Sequence, residues 1–265
     1  MRVQFSLPAL ERRILEKEYE ELMLSAFKEN EKVLFQFSGG KDSQAALEIV
    51  LPYAKKLGIP YEAAYVDTGA EFPSVTKYVK EYTKKRDIPL VILQHKSIVD
   101  EIYRLNKFPH PIYKDCISSI INYPVNKYAR KEKALVVTGH HPKQRQGTKK
   151  ARMKFVYYIP SAKITTLNPL YVVEPPELEE IWDGYAKGFS RTACYCCPFQ
   201  KEPQWEAMKK EFPELWEKMA KIISEIPICA LDDRKSQGIC VYHMTPYWQD
   251  KHGIRIQKIF YGKKE

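Results

Sequence analysis

Two patterns of apolar residues take turns along the first half of the chain. Short apolar runs, which are typical of buried strands, lie at residues 33–37, 61–66, 89–93 and 134–138. Between them, apolar residues recur at helical spacing over residues 45–57, 73–82, 97–106 and 115–130. Strands that alternate with helices imply crossover connections and a parallel sheet covered on both faces. The sequence therefore predicts an α/β fold of Rossmann-like type, with a parallel sheet flanked by helices.

Two further regions frame the predicted sheet. Residues 9–29 carry apolar side chains at helical spacing among many charges, which predicts an amphipathic helix ahead of the core. From roughly residue 160 onward prolines accumulate and cysteines cluster, and residues 203–225 are again amphipathic. We therefore expect an N-terminal helical extension at residues 1–30, a sheet domain at residues 31–175 and a mostly helical, cysteine-containing appendage at residues 176–265.

Composition narrows the class of protein without naming a ligand. Of 265 residues, 44% are hydrophobic and 29% are charged, which is ordinary for a globular protein. No uninterrupted apolar stretch is long enough to cross a bilayer, and charges interrupt the N-terminus before a secretory segment can form. We therefore expect a cytoplasmic protein without a membrane partner. The net charge of +10 favours anionic ligands such as nucleotides or nucleic acid.

The first predicted strand opens into a loop that is suited to binding an anion. This loop reads Ser38-Gly39-Gly40-Lys41-Asp42-Ser43 and stands at the start of a predicted helix. Backbone N–H groups at a helix start, together with the helix dipole, attract negative oxygen atoms. The glycines allow close approach and positive φ angles, Lys41 adds a charge, and the serines add hydroxyl donors. A Walker A loop would need glycine where Phe35 stands and Ser or Thr where Asp42 stands, so this loop is of another kind.

Three motifs together carry a resemblance to a known family. FSGGKDS (residues 37–43) resembles the PP-loop of the adenine nucleotide α-hydrolase superfamily. VDTGAEFPS (residues 66–74) resembles a segment of the phosphoadenosine phosphosulfate (PAPS) reductase family, and GFSRTACYCCPF (residues 188–199) is similar to a segment of its cluster-bearing, archaeal-type members. The motifs cover roughly residues 31–200 in the order of the family. The resemblance implies an adenine nucleotide α-hydrolase-like fold and an enzyme of sulfur metabolism.

The resemblance also implies which residues bind the nucleotide. The PP-loop would contact phosphate or sulfate, with Lys41 in a catalytic role. The DTG segment would sit beside the nucleotide, and Gly139 near its adenine or ribose. His140 and Arg145 follow the fourth predicted strand closely and are expected to contact the substrate. The complete expected set is Ser38, Gly39, Gly40, Lys41, Asp42, Ser43, Asp67, Thr68, Gly69, Gly139, His140, Arg145 and Arg191.

Cysteines suggest a second kind of chemistry. Cys194 and Cys197 have the C-x-x-C spacing of metal ligands, and Cys196 lies between them. By resemblance we expect Cys116 to join them, with a [4Fe-4S] cluster held by these four cysteines or by three of them around an open iron. A structural zinc, a disulfide or buried unligated cysteines are the alternatives. Cys240, with a histidine nearby in sequence, is a candidate nucleophile for the catalytic step.

Two reactions and one non-catalytic role remain open from the sequence. The first reaction is reduction of PAPS or adenosine phosphosulfate to sulfite, with a thiol or ferredoxin-type electron donor. The second is an ATP- and Mg²⁺-dependent adenylation of a tRNA base or similar target for sulfur transfer, which the positive charge and the TGHH segment (residues 138–141) favour. A nucleotide-sensing or assembly protein is the third interpretation. The sequence leaves the oligomeric state open, a homodimer being one option.

Overall fold

The computed structural model describes most of the chain outside its two ends. The described residues are 9–106, 108, 116–140, 155–171, 173–197, 200 and 202–226. Two of the expected site residues, Arg145 and Cys240, lie outside this part of the chain.

A six-stranded sheet forms the centre of the fold. Its strands are β1 (Lys32–Gln36), β2 (Tyr61–Asp67), β3 (Leu90–Gln94), β4 (Ala134–Val137), β5 (Val156–Ile159) and β6 (Ile164–Leu167). They lie in the order β3-β2-β1-β4-β6-β5. Among the described strands, β1 pairs in parallel with β2 and β4, β4 pairs in parallel with β6, and β5 pairs with β6 in antiparallel fashion. The predicted α/β fold is therefore confirmed.

Helices connect and cover the strands. The α-helices are α1 (Ala9–Lys28), α2 (Lys41–Lys56), α3 (Pro73–Lys85), α4 (Ile98–Leu105), α5 (Tyr123–Lys131), α6 (Glu202–Glu211) and α7 (Pro213–Glu225). A π-helical segment, Cys116–Asn122, leads directly into α5. The helices expected from the apolar spacing are all present, and the amphipathic stretch at residues 203–225 is divided into α6 and α7.

The central strands form the buried core of the sheet. Every residue of β4 is buried, and so are Val33, Leu34 and Phe35 in the middle of β1. A strand covered by helices on both faces buries both sets of alternating side chains, so its sequence is an unbroken apolar run. The edge strand β3 instead exposes every second residue from Ile92, which is 44% exposed. This difference explains why the central strands were the clearest in the sequence.

The chain divides into two compact units. The first comprises Met1–Tyr65, Val79–Val91 and Val125–Glu180, and the second comprises Val66–Tyr78, Ile92–Pro124 and Ile181–Glu265. The first unit contains the PP-loop. Aromatic side chains pack at the centre of the second, where the ring of Phe72 lies 4.9 Å from that of Phe189 and 5.1 Å from that of Phe212.

Among the described helices, none combines the length and the apolar character needed to span a membrane.

Candidate nucleotide and thiol sites

The PP-loop lies between β1 and α2 in the first unit. Gly39 has a φ of 73°, which is the left-handed conformation that favours glycine. Gly40 is the N-cap of α2, with a φ of −85°, so only the first glycine uses the positive φ expected of both. Because Gly40 has no side chain, it makes no side-chain cap on the helix start. Gly40 therefore does not supply the side-chain acceptor that Ser, Thr or Asp would supply at this N-cap position.

Two serines hold the loop in shape. The Ser43 hydroxyl donates to the Gly40 carbonyl at 2.8 Å and accepts from the Ser38 N–H at 3.2 Å. The Ser38 and Ser43 hydroxyl oxygens are 3.1 Å apart. Ser38 and Lys41 are both exposed, so a hydroxyl and a cation face solvent at the helix start. A helix start with an exposed hydroxyl and an exposed cation is an arrangement that can bind an anion.

Gly139 packs directly on the PP-loop. A Cβ atom at this position would overlap the backbone carbonyl of Asp42 and the backbone nitrogen of Ser43. Any side chain here would push the end of β4 away from the first turn of α2. Glycine is thus required at position 139, because its backbone lies against the backbone of the first turn of α2. The next residue in the chain is His140.

A buried hydrogen-bonded chain leads from His140 into the core. The Thr138 hydroxyl lies 3.0 Å from His140 Nδ1 and donates to Asn168 Oδ1. Thr138 and Asn168 are buried at the ends of β4 and β6. Sequence analysis missed Asn168 because β6 was not predicted. An Asn-Pro pair by itself does not indicate that Thr138 is the hydrogen-bond partner.

Behind the PP-loop, a polar network ties α2 to neighbouring segments of the first unit. Gln44 is fully buried, and its side-chain amide donates to the Glu180 carbonyl oxygen at 2.7 Å. The Glu180 carboxylate pairs with Arg86 and, at 2.9 Å, with Lys85. Hydrogen bonds from Lys85 and Arg86 lower the pKa of Glu180 despite its partial burial. The Arg86 guanidinium in turn lies 3.9 Å from the centre of the Tyr82 ring.

The DTG segment of the second unit forms a tight turn. Asp67 Oδ1 accepts from the Gly69 N–H at 2.8 Å, and Gly69 has a φ of 75°. The Glu71 carboxylate accepts from the Thr68 N–H at 2.9 Å and from its hydroxyl at 2.5 Å. Burial raises the pKa of Glu71, although the bonds from Thr68 oppose the shift. Sequence analysis did not single out Glu71. The pattern that could have indicated it is an acidic residue three positions after a threonine, Thr68, whose N–H and hydroxyl it accepts from.

Two cysteines of the second unit contact polar side chains. Cys194 Sγ lies 3.2 Å from the Thr68 hydroxyl, and Cys197 Sγ lies 3.4 Å from Arg191 Nη2. The C-x-x-C segment is a turn, closed by a backbone bond of 2.9 Å from Cys197 N–H to the Cys194 carbonyl. Burial raises the pKa of Cys194 to about 12. The buried amide of Gln200 fixes this turn by donating to the Cys194 carbonyl at 2.8 Å.

The described cysteines do not form a ready metal site. Cys116, Cys194, Cys196 and Cys197 are all free thiols. Within the described ranges, no three His, Cys, Asp or Glu side chains are grouped closely enough to hold a metal ion. Cys196 is completely buried, and burial raises its pKa well above the ordinary value. The charges of Cys197 and Cys116 add to the rise in the Cys194 pKa, so these thiols lie near one another, and a [4Fe-4S] cluster held by the cysteines stays a prediction.

Comparison with known proteins gives relatives among archaeal proteins. Two uncharacterized proteins of Methanocaldococcus jannaschii are 27% identical over 198 residues and 26% identical over 212 residues, covering 71% and 73% of this chain. These alignments cover 46% and 42% of the two relatives, so the chain spans less than half the length of either.

Solved structures of nucleotide enzymes are also similar. The PAPS reductase of Candida auris in a phosphate complex has a TM-score of 0.46 at 14% identity, covering 73% of this chain and 98% of that one. FMN adenylyltransferase of Candida glabrata with ATP has a TM-score of 0.47 at 14% identity, covering 72% and 65%. A family model for the phosphoadenosine phosphosulfate reductase domain matches residues 32–182. Because this match covers more than half of the chain, the protein belongs to the phosphoadenosine phosphosulfate reductase domain family.

Proposed function

We propose that this protein binds an adenine nucleotide at the PP-loop and reduces an adenylyl sulfate, PAPS or adenosine phosphosulfate, to sulfite. The observation that carries the proposal is the start of α2, where Ser38 and Lys41 are exposed and the N-cap residue Gly40 makes no side-chain hydrogen bond to the helix. Membership of the PAPS reductase domain family supports the choice of ligand.

Each residue of the PP-loop has a distinct role in this proposal. Lys41 offsets the charge of the phosphate or sulfate group, and the Ser38 hydroxyl donates to its oxygen atoms. The Ser43 hydroxyl, which donates to the Gly40 carbonyl in this structure, would turn from that carbonyl to donate to the bound group. Gly39 and Gly40 let the ligand approach the backbone, and Asp42 lies in the first helical turn. A hydrogen bond to a charged group contributes roughly 1.5–3 kcal/mol. Loss of Lys41 is therefore expected to weaken nucleotide binding by roughly 10- to 100-fold.

The expected nucleotide-binding set includes residues beyond the loop. We propose that Gly139 lies near the adenine or ribose, that His140 contacts the substrate, and that Asp67, Thr68, Gly69 and Arg191 also belong to the nucleotide-binding set. The positions follow from the family resemblance, and the tight turn at Gly69 and the contact of Arg191 with Cys197 are consistent with a structured site.

The proposed reduction needs a nucleophilic thiol, for which Cys240 remains the candidate. A thiolate attacks the sulfur of the adenylyl sulfate, the S–O bond breaks, and the adenosine phosphate leaves with the electron pair of that bond. A second thiol, from the protein or from an external donor, then attacks the cysteine sulfur. Sulfite leaves, and the two thiols end as a disulfide, which accounts for the two electrons.

The [4Fe-4S] cluster implied by the cysteine motif takes no part in these steps. If present, it would be held by Cys116, Cys194, Cys196 and Cys197 and would supply positive charge or electrons. Iron and sulfide analysis of anaerobically purified protein tests the prediction. Four irons and four sulfides per chain would support it, and an iron-free protein with full activity would end it.

Product analysis tests the proposed reaction. The protein is incubated separately with PAPS, with adenosine phosphosulfate and with ATP·Mg²⁺, each with and without a dithiol reductant. We expect sulfite and an adenosine phosphate from one of the sulfated nucleotides, only with the reductant. Lys41→Ala is expected to abolish most of this yield, whereas Lys56→Ala, at the other end of the same helix, should preserve it.

One observation favours a second candidate function. The net charge of +10 suits a polyanionic partner, as expected for an ATP pyrophosphatase that adenylates a tRNA base for sulfur transfer. In the same assay this function would give AMP and pyrophosphate from ATP in the presence of tRNA, and no sulfite. That result would overturn the reductase proposal and keep the nucleotide site.

A further inference from the structure

A chain of hydrogen-bonding contacts at the ends of β4 and β6 reaches the imidazole of His140. Thr138 stands in the middle of this chain, with His140 Nδ1 at 3.0 Å from its hydroxyl oxygen on one side and Asn168 Oδ1 on the other. Asn168 is itself fixed, since its backbone N–H donates to the Phe155 carbonyl at 2.7 Å. All four residues belong to the first unit, which also contains the PP-loop.

The direction of these bonds determines where the imidazole proton resides. A hydroxyl group has one hydrogen, and with the Asn168 side-chain amide oriented as in this structure Thr138 donates it to Oδ1 of that amide. The contact between Thr138 and His140 can then be a hydrogen bond only if His140 Nδ1 is the donor. Neutral His140 accordingly carries its proton on Nδ1 and a lone pair on Nε2.

We propose that Asn168 is a positioning residue that acts through Thr138 to hold His140 in this tautomer, so that Nε2 accepts a hydrogen bond from the bound nucleotide. The matching group is a ribose hydroxyl or the amino group of adenine, because unprotonated phosphate and sulfate oxygens have no hydrogen to donate. The ligand contact rests on the proposed nucleotide site; the tautomer does not.

The position of His140 along the chain suits this contact. The preceding Gly139 lies against the backbone of Asp42 and Ser43, at the first turn of α2. His140 is therefore the first residue after the point where the chain following β4 touches the PP-loop. In this proposal the PP-loop binds the charged end of the nucleotide, and His140 accepts a hydrogen bond from an uncharged group of the adenosine.

The side chain of Asn168 lowers the stability of the fold, which is unexpected for a residue whose only role is packing. Its Nδ2 atom is buried and has no hydrogen-bond partner among the described residues, and the same holds for the Thr166 hydroxyl two positions earlier on β6. A buried polar group without a partner loses its hydration without compensation. An apolar side chain of similar volume at position 168 should thus be tolerated by the fold, which makes Asn168→Leu a usable test of the chain of bonds.

Nitrogen-15 NMR of the histidine side chains tests the tautomer without any ligand. The protein has six histidines, and His140→Gln assigns the signal of interest by removing it. We expect the protonated-nitrogen shift on Nδ1 and the unprotonated shift on Nε2. In Asn168→Leu the Thr138 hydroxyl loses its acceptor and turns to donate to Nδ1, so the two shifts should exchange. Thr138→Ser keeps the hydroxyl and should retain the original pattern.

Two results would overturn the assignment of the tautomer. One is a wild-type protein with the proton on Nε2, and the other is an unchanged tautomer in Asn168→Leu. If Asn168→Leu does not fold, Thr138→Val removes the same link and should abolish the Nδ1 preference that Thr138→Ser retains.

Binding of nucleotide analogues tests the contact itself. Titrations compare ATP with its 2′-deoxy and 3′-deoxy analogues and with inosine triphosphate, in which a carbonyl replaces the amino group. We expect one analogue to bind wild-type protein roughly 3- to 10-fold more weakly, as for one neutral hydrogen bond. In Asn168→Leu that analogue and ATP should bind equally. Equal binding of all four by wild type would overturn the contact, and so would failure of all four to bind to a protein that binds adenosine phosphosulfate. Failure of adenosine phosphosulfate and PAPS to bind as well would contradict the proposed function and leave the tautomer standing.

Discussion

At the scale of single residues, Gly139 shows how tightly the proposed nucleotide site is built. Its missing side chain is what allows the end of β4 to touch the backbone of Asp42 and Ser43. Gly139→Ala is expected to shift this contact, to lower nucleotide affinity and to reduce the free energy of unfolding by about 1–3 kcal/mol, as overpacking does. Calorimetric titration and denaturant unfolding measure the two effects.

Gly58→Ala is the matched control for this substitution. Gly58 has a φ of 66°, and a Cβ atom there would meet nothing within 4 Å. Its cost is conformational strain alone, roughly 1–2 kcal/mol, with nucleotide affinity unchanged. Equal affinities in wild type and Gly139→Ala would show that the contact between the two backbones does not shape the site.

Residues differ in how well the sequence predicted them. The PP-loop from Ser38 to Ser43 could be located because its chemistry is contained in six consecutive positions. Asn168 and Gln44 could not, because the importance of each depends on a partner far away in the chain: Thr138 for one and Glu180 for the other. Which distant residues become partners depends on the order of the strands in the sheet, and a local sequence pattern does not reveal that order.

At the scale of elements, the four strands predicted from apolar runs are present and two more were missed. β5 and β6 have four residues each, as does β4, but two of the four in β6 are threonines and break its apolar run. In the turn between them Lys163 has a φ of 54°. Glycine or asparagine is usual at such a position and would have indicated a hairpin. Without that signal, the sequence indicated only a change of pattern near residue 160.

The pair between Arg86 and Glu180 gives the first unit a pH-dependent contribution to stability. Because Lys85 and Arg86 lower the pKa of Glu180, the folded state favours its charged form. The stabilisation is present above the unfolded pKa of about 4.3 and is lost as the pH falls through the lower folded pKa. Glu180→Gln should therefore lower the free energy of unfolding by about 1 kcal/mol at neutral pH, after allowance for screening of this partly exposed pair.

Unfolding in denaturant at several pH values measures this effect. The difference between wild type and Glu180→Gln should shrink as the pH is taken below about 4. Glu179→Gln, a change at the exposed neighbouring residue, should leave the free energy of unfolding unchanged. A difference that grows on acidification would contradict the assigned sign.

Packing in the second unit depends on a glycine next to a tryptophan. A Cβ atom on Gly184 would overlap the buried ring of Trp182, whose Nε1 donates to the Ser74 hydroxyl at 3.1 Å. Gly184→Ala should displace the ring, lower the free energy of unfolding by about 1–3 kcal/mol and change the tryptophan fluorescence. Ala186→Ser, at an exposed position two residues later, is the control that should change neither.

At the scale of the whole molecule, the order of motifs predicted the family better than the reaction. The motifs near residues 37–43 and 66–74 fall within residues 32–182, which the PAPS reductase domain model matches. The cysteine motif lies beyond that match, and its thiols depend on spatial grouping that spacing alone does not fix. C-x-x-C spacing brought Cys194 and Cys197 into one turn, whereas Cys196 between them is directed into the core.

Calorimetric titration of the protein with ATP, AMP, adenosine phosphosulfate and PAPS tests the central claim most directly. The account predicts saturable heat with at least one of these nucleotides, an affinity roughly 10-fold or more lower in Lys41→Ala, and no change in Lys56→Ala. Absence of heat with all four nucleotides, or equal affinity in wild type and Lys41→Ala, would contradict the claim that the PP-loop binds the phosphate or sulfate of an adenine nucleotide.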